Sequence, residues 1–293
     1  FGTGAKAIAA WEKAGLRPRK THELNSLVTL LSTGSPLAPA SFDFVYSEIK
    51  QNRCLSSIAG GTDIGSCFLS GCPILPVYRG ELQCAGLGMA VKILREDGSE
   101  AAIGETGELC CVQPFPATPV FFWDDEGNRK YHAAYFEKFP NTWAHGDFVA
   151  RSENGGYIIE GRSDATLNPG GVRIGTSEIY RQVEVLDEVL ESLCVGQDWD
   201  DDTRIILFVK LREGQQLDED LQNLIRRTIR QNTTPRHVPA KIIQLADIPR
   251  TISGKIVELA VRNIIHGKPV GNVDALANPE ALDLYRDLPE LQS

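Results

Sequence analysis

No run in this 293-residue sequence approaches the ~18–20 consecutive apolar residues that a membrane-spanning helix needs. Positive charge is short as well. Thirty Lys and Arg stand against 39 Asp and Glu, a net charge of −9, and binding a phosphate backbone needs clustered cations, which argues against a nucleic-acid partner. A disulfide framework is missing. The seven cysteines (Cys54, Cys67, Cys72, Cys84, Cys110, Cys111, Cys194) are odd in number and show no paired Cys-x-x-Cys spacing. They read as small buried hydrophobes in a reducing compartment, which points to the cytosol. The five histidines (His22, His132, His145, His237, His266) lack zinc-site spacing. There is no Gly-x-x-x-x-Gly-Lys-Ser/Thr loop and no Gly-x-Ser-x-Gly elbow. No Gly-x-Gly-x-x-Gly opens a βαβ unit, which disfavours a dinucleotide oxidoreductase. Asp198-x-Asp200-x-Asp202 begins like a calcium loop, but Thr203 stands where glycine is needed and no Glu closes it, so it reads as a solvated acidic turn. The first residues, Phe1 to Lys6, carry no initiator Met, basic region or apolar core of a signal peptide, and the chain reads as a piece of a longer protein.

What is present is an ordinary globular composition, 42% hydrophobic and 24% charged. Residues 5–14 predict a helix stopped by Gly15 and Pro18. Leu27–Leu31 predicts a buried strand entering a Ser32–Pro36 loop, Pro39–Lys50 a helix, and Cys54–Ala59 a strand ending in a Gly60-Gly61 turn. This strand–loop–helix–strand order is an α/β pattern, whose ligands sit at the strand C-termini. From Pro73 to Gln113, short strands (Val77–Ala85, Ala90–Arg95, Gly107–Val112) alternate with glycine turns. Together with Asp97-Gly98 they suggest a small antiparallel, barrel-like section. Asp124–Asn128 is a polar turn, and Asp147–Arg151 and Gly156–Gly161 form a hairpin around Asn154-Gly155. A fresh series follows the charged Gly161–Asp164: helix Thr176–Leu186, strands Leu190–Val195 and Thr203–Leu211, helix Asp218–Gln231 and strand Ala240–Leu245. Last comes helix Ile256–Ile265, with Ser253 as its N-cap, and the tail from Gly267 reads as a loosely packed strap.

Three stretches carry chemistry. In Ser56-Ser57-Ile58-Ala59-Gly60-Gly61-Thr62-Asp63, small residues at a strand end allow close backbone approach, a hydroxyl follows for a phosphate oxygen, and a carboxylate can hold Mg²⁺. From His145-Gly146-Asp147 to Gly161-Arg162-Ser163-Asp164 and on to Ile179, an aspartate can accept from both ribose hydroxyls and an arginine can donate to ribose or phosphate. In Ile248–Lys255, a lysine just past a glycine suits a transferring phosphoryl group. Taken singly, each also fits a bland reading: a glycine turn, surface ion pairs, an exposed lysine.

In this order and spacing the three stretches resemble the adenylate-forming superfamily of acyl-CoA synthetases, luciferases and peptide-synthetase adenylation domains, with the Gly161–Ile179 and Pro249–Lys255 matches the most specific. The resemblance implies that residues 1–161 are the C-terminal part of the large AMP-binding domain and residues 162–293 a mobile, small α+β domain with a tail. The family's phosphate loop would lie upstream. The implied co-substrates are ATP and CoA, with Mg²⁺. By position, Gly34, Ser35 and Pro36 match the adenine-contacting loop, and Ser57, Ile58, Ala59, Gly60 and Gly61 the segment beside adenine and phosphate. Thr62 falls on phosphate. Asp63 stands where relatives carry a magnesium-holding Glu. Asp147 matches the acceptor of the ribose hydroxyls, Arg162 a ribose contact and Arg173 a phosphate-side contact. Lys255 matches the lysine that neutralises charge at the α-phosphate. Asp164 matches the hinge, Gly170 and Gly171 a strand beside the CoA channel, and Arg230 an arginine on a CoA phosphate.

Acetate-using relatives carry Trp where this chain has Gly60, so the same resemblance implies an acyl pocket open to a group longer than acetyl. Two other readings stay open at this stage: a synthetase for a different short acid, and a fragment that binds nucleotide or CoA without turnover.

Overall fold

Helix α1 (Ala5–Lys13) ends as its composition dictates, with Gly15 taking φ +64° just beyond the last turn. The computed structural model describes every residue except Ser253, and the chain divides into two compact units, Phe1–Ile159 and Glu160–Ser293.

In the first unit, β1 (Gly2–Gly4), β2 (Thr29–Thr33) and β3 (Cys54–Ser57) form a parallel sheet in that order, with Ser32 opposite Ser57. The second strand starts two residues later than the apolar run suggests, because Leu27 is held in a turn by its bond to Leu24 O (3.2 Å). A short helix α2 (Pro18–Thr21) follows α1. Helix α3 (Pro39–Phe44) has Pro at its first turn and runs on into a wide turn over Val45–Ile49. Ile8, Leu30, Phe42 and Leu55 share the core under this sheet.

The Gly60-Gly61 pair does not turn the chain. It lies in β4 (Ala59–Gly61), antiparallel to β5 (Ser66–Ser70), and the turn falls at residues 62–65. Gly60 pairs with Cys67, and a Cβ on Gly60 would stand 2.1 Å from Ser66 O, so the glycine answers a close approach of backbones. Of the strand expected over Val77–Ala85, only β6 (Cys84–Ala85) joins the sheet. Gln83 ties this segment to the loop before it: its amide nitrogen reaches the carbonyls of Cys72, Leu75 and Pro76 at 3.0–3.2 Å.

Strands β7 (Val91–Leu94), β8 (Thr106–Cys111), β9 (Trp143–Arg151) and β10 (Tyr157–Arg162) form an antiparallel sheet in the order β10-β9-β8-β7, and the unit boundary falls within β10. The polar Asp124–Asn128 turn leads into α4 (Arg129–Tyr135), a helix not expected from the sequence; Asp125 caps it by accepting from the N–H groups of Lys130 and Tyr131 (2.9 and 2.8 Å). Phe68, Leu109, Trp143 and Val149 centre this core.

The second unit is built on β11 (Val189–Trp199), β12 (Asp202–Leu211) and β13 (Lys241–Gln244), β12 being antiparallel to β11 and parallel to β13. Cys194, Ile205, Leu207 and Val209 face α5 (Thr176–Val183) and α6 (Glu219–Asn232), while Leu193, Val195, Ile206 and Phe208 face α7 (Glu258–Ile265) and the tail. Both faces are covered, which is why β11 and β12 read as nearly continuous apolar runs. Asp218 caps α6 through Leu221 N–H (2.8 Å). The helix expected from Ile256 begins at Glu258, and its expected cap, Ser253, lies outside the described residues. The tail is not a loose strap: Leu276, Leu282, Tyr285 and Leu291 are buried in the same core, and Tyr285 meets Phe208 edge-on at 4.8 Å. It packs through 3₁₀ turns opened by Pro279 and Pro289, which leave no 3.6-residue period to read. No helix among the described residues is long and apolar enough to cross a membrane.

Candidate functional site

Within the first unit, the parallel register brings two of the predicted segments to one sheet edge. Ile58 N–H donates to Ser32 O (2.9 Å), so Gly34-Ser35-Pro36 leaves the C-terminal end of β2 beside the point where Ser57–Gly61 leaves β3. Gly34 takes φ +88°, and Ser32 is fully buried beneath it with no hydrogen-bond partner for its Oγ. Such an edge is where open α/β sheets bind ligands.

The His145-Gly146-Asp147 segment is shaped by a bulge. Glu108 pairs with Phe148 and Cys110 with Ala144, so three residues of β9 face the single Leu109. Glu108, only 2% exposed, fixes the bulge by accepting from Gly146 N–H (2.6 Å) and from Lys138 (2.6 Å). A run of contacts then joins Asp147 to Asp63. Asp147 Oδ2 lies 3.7 Å from His145 Nε2, and Trp143 Nε1 donates to His145 Nδ1 (3.4 Å). Tyr135 stacks on Trp143 with ring centroids 3.6 Å apart and donates its hydroxyl to Asp63 Oδ2 (2.5 Å). A Cβ on Gly61 would stand 1.8 Å from Asp63 Oδ1 and 3.1 Å from His145 Cε1, so this glycine lets the carboxylate fold over the backbone beside the imidazole. The exposed Asp63 carboxylate is the magnesium candidate, and Mg²⁺ commonly takes one or two carboxylates alongside substrate phosphates. Among the described residues no group of three or more His, Cys, Asp or Glu could hold a metal by itself.

In the second unit, Arg162 and Asp164 lie together, Nη2 to Oδ2 at 3.4 Å, just after Gly161 at φ +137°. The segment predicted as a CoA-side strand is instead a 3₁₀ turn, Pro169–Gly171, with both glycines at positive φ (58° and 74°) inside a loop closed by a Leu167–Ile174 bridge. Both carboxylate oxygens of Asp202 accept from Gly170 N–H (2.9 and 3.0 Å). The N–H groups of Thr203 and Gly170 hold that carboxyl below its usual range. The arginine that meets this turn is Arg236, which donates to Gly170 O (3.3 Å), while Arg230 lies exposed on the last turn of α6. Arg173 is exposed at the end of the same loop.

Lys255 is exposed on a tight loop closed by an Arg250–Ile256 bridge, with Gly254 at φ +82°. Three residues on, Glu258 is half-buried. It accepts from Tyr180 (3.1 Å) and Thr176 (3.5 Å). Burial pushes its carboxyl above the usual range and Asp164 adds to this, while Arg162 and the Tyr180 hydroxyl act the other way. The hinge candidate and the Lys255 loop are thus neighbours through Glu258. Glu108, Trp143, Tyr135, Arg236, Asp202 and Glu258 were assigned no role by the sequence. The readable sign for one of them was Glu108, a lone carboxylate inside an apolar strand. A cleft of about 440 Å³ in the tail, lined by Val270, Glu280 and Arg286 among others, holds none of these residues.

No family model matches the chain. Its fold recurs in solved CoA ligases. The anthranilate CoA ligase AuaEII in complex with anthranoyl-AMP matches 90% of the chain, over 49% of its own length, with TM-score 0.75 and 21% identity. The architecture is that of the adenylate-forming acyl-CoA synthetases. By sequence the chain is similar to one branch of them, the acetoacetyl-CoA synthetases. It is 59% identical over all 293 residues to acetoacetyl-coenzyme A synthetase of Rhizobium meliloti (strain 1021), covering 45% of that protein. It is 51% identical over 295 aligned residues to the acetoacetyl-CoA synthetase of Xenopus tropicalis, covering 44% of it. The solved acetoacetyl-CoA synthetase from Streptomyces lividans matches the whole chain with TM-score 0.91 and 38% identity, over 45% of its length. The chain therefore spans about half the length of the relatives it matches.

Proposed function

We propose that the protein containing this chain activates acetoacetate to acetoacetyl-CoA. A carboxylate oxygen of the acid attacks the α-phosphorus of ATP, the bond to the β-phosphate breaks, and pyrophosphate leaves. The CoA thiolate then attacks the acyl carbonyl and AMP leaves. The activation is needed because a carboxylate oxygen is a poor leaving group and an adenylate a good one.

The observation that carries this reading is the convergence of Gly34–Pro36, Ser57–Asp63 and Asp147 in the first unit, in a chain whose relatives are acetoacetyl-CoA synthetases. In it, Gly34–Pro36 and Ser57–Gly61 flank adenine, Thr62 meets phosphate, and Asp147 and Arg162 take the ribose hydroxyls. Arg173 lies on the phosphate side, and Asp63 would hold Mg²⁺, which supplies charge neutralisation on the phosphates. Lys255 offsets charge that builds on the α-phosphate. Asp164 is the hinge between half-reactions, and Gly170, Gly171 and Arg230 belong to CoA binding, with Arg236 added by its contact to Gly170. Gly60 keeps its place beside the acyl group, although its missing side chain also has the local cause described above. The unpaired cysteines support a cytosolic setting.

The test is AMP and pyrophosphate release by the full-length protein with ATP, Mg²⁺, CoA and each of a panel of acids. Acetoacetate should exceed acetate, propionate and benzoate by roughly tenfold or more in kcat/KM. Preference for another acid would reassign the substrate, and no acid-dependent AMP would remove the activity.

A further inference from the structure

The loop that carries Lys255 is zipped to the tail. Asn278 Oδ1 accepts from Arg250 N–H (2.9 Å), and its amide donates to Ile248 O (3.0 Å) and Asp247 Oδ2 (2.5 Å). Ala277 N–H donates to Arg250 O (2.8 Å), Ile252 N–H donates to Ala275 O (3.0 Å), and Thr251 bridges antiparallel to Leu276. Asp247, which Asn278 grips, also takes Lys210 Nζ (2.7 Å), and its backbone carbonyl accepts from Tyr285 OH (3.3 Å). The backbone of Lys255 is tied to Thr251 twice: Thr251 N–H donates to Lys255 O (2.9 Å), and Lys255 N–H donates to Thr251 Oγ1 (3.1 Å). Whatever fixes Arg250 and Thr251 therefore fixes the base of the Lys255 side chain. The other clamp on Arg250 is its fork onto Glu191 of β11.

We propose that residues 275–278 are a positioning strap and that Asn278 sets where the Lys255 ammonium stands. This rests on the functional reading above, in which Lys255 serves adenylation. A long, exposed side chain on a short loop places its charge only as well as its backbone is placed, and a misplacement near 1 Å weakens a transition-state contact severely. Asn278 touches no substrate in this scheme; it acts through the Arg250–Thr251 backbone. Burial of Leu276 within the strap, and of Tyr285 beyond it, anchors this stretch against the sheet.

The two half-reactions separate positioning from folding. In the full-length protein, Lys255→Ala should abolish acetoacetate-dependent ATP–pyrophosphate exchange and leave thioester formation from supplied acetoacetyl-adenylate within about twofold. Asn278→Ala should lower the exchange by roughly tenfold while sparing thioester formation, and Asn278→Gln, which keeps an amide, should recover part of the loss. Tyr285→Phe, which keeps the buried ring, should give a smaller loss of the same kind. Arg286→Ala, whose side chain pairs with exposed Asp283, should change neither half-reaction. If Lys255→Ala depresses both half-reactions equally, the functional reading falls and this inference with it. If Lys255→Ala shows the split but Asn278→Ala affects both halves alike, or neither, the strap has no positioning role.

Discussion

Gly60 shows how two explanations can meet on one residue. Its lack of a side chain can be read as an open acyl pocket, but the same atom position lies 2.1 Å from Ser66 O and 2.7 Å from Cys67 Cα, both backbone atoms that cannot rotate away. Gly60→Ala is therefore expected to destabilise the β4–β5 pair by about 1–3 kcal/mol, the usual cost of overpacking. Thermal unfolding of Gly60→Ala beside wild type measures this; equal midpoints would mean that the strands can part at no cost and that the pocket alone explains the glycine. The residue types at Asp147, Asp63, Arg162 and Lys255 mark them in the sequence as candidates, because carboxylates, guanidinium and ammonium groups limit what each could bind. The positions of Tyr135 and Trp143 are not marked there, since a stack between residues eight apart in sequence on a helix and a strand leaves no periodic trace.

At the scale of elements, helices α1, α5 and α6 follow from spacing and caps, and the apolar runs of β11 and β12 follow from a sheet covered on both faces. The misreadings share a cause. Within Val77–Ala85, Leu82 exchanges backbone hydrogen bonds with Tyr157, and at Gly60-Gly61 the glycines serve a close strand contact, so in both places a partner outside the segment decides what local propensity leaves open. The bulge at His145–Asp147 is likewise held by a residue on another strand. Glu108→Gln keeps one acceptor for Gly146 but sets an amide against the Lys138 ammonium. It is expected to cost about 1–3 kcal/mol of stability and to raise the KM for ATP several-fold with little change in kcat, as the bulge that presents Asp147 loosens. Steady-state kinetics against ATP check it; an unchanged KM would detach the bulge from nucleotide binding.

Across the molecule, the chain divides after Ile159, two residues before the boundary expected at the charged Gly161–Asp164 segment, while the packing of the tail left no sign in the sequence, because its apolar residues sit in 3₁₀ turns. The second unit also carries a pH signature. Glu258 has its folded pKa raised above the ordinary 4.5 by burial, so folding favours its protonated form. The stability it contributes is complete below pH 4.5 and is lost as pH rises through the raised folded value. Glu258→Gln keeps an acceptor for Tyr180 and removes that ionisation. The variant should match wild type near pH 4.5 and exceed it in thermal stability at pH 7.5 and above. A gap that shrinks with rising pH would show that the carboxylate is stabilised by its neighbours.

The tail that seals the second face of the β11–β13 sheet has a bearing on biosynthesis. A ribosome delivers this polypeptide from its N-terminus, so Leu193, Val195, Ile206 and Phe208 are made long before Leu276, Leu282, Tyr285 and Leu291, which cover them. Throughout that interval a greasy surface lies open to solvent, and it closes only once the last of these side chains has cleared the exit tunnel. A premature stop codon anywhere in the strap would therefore be expected to yield a chaperone client.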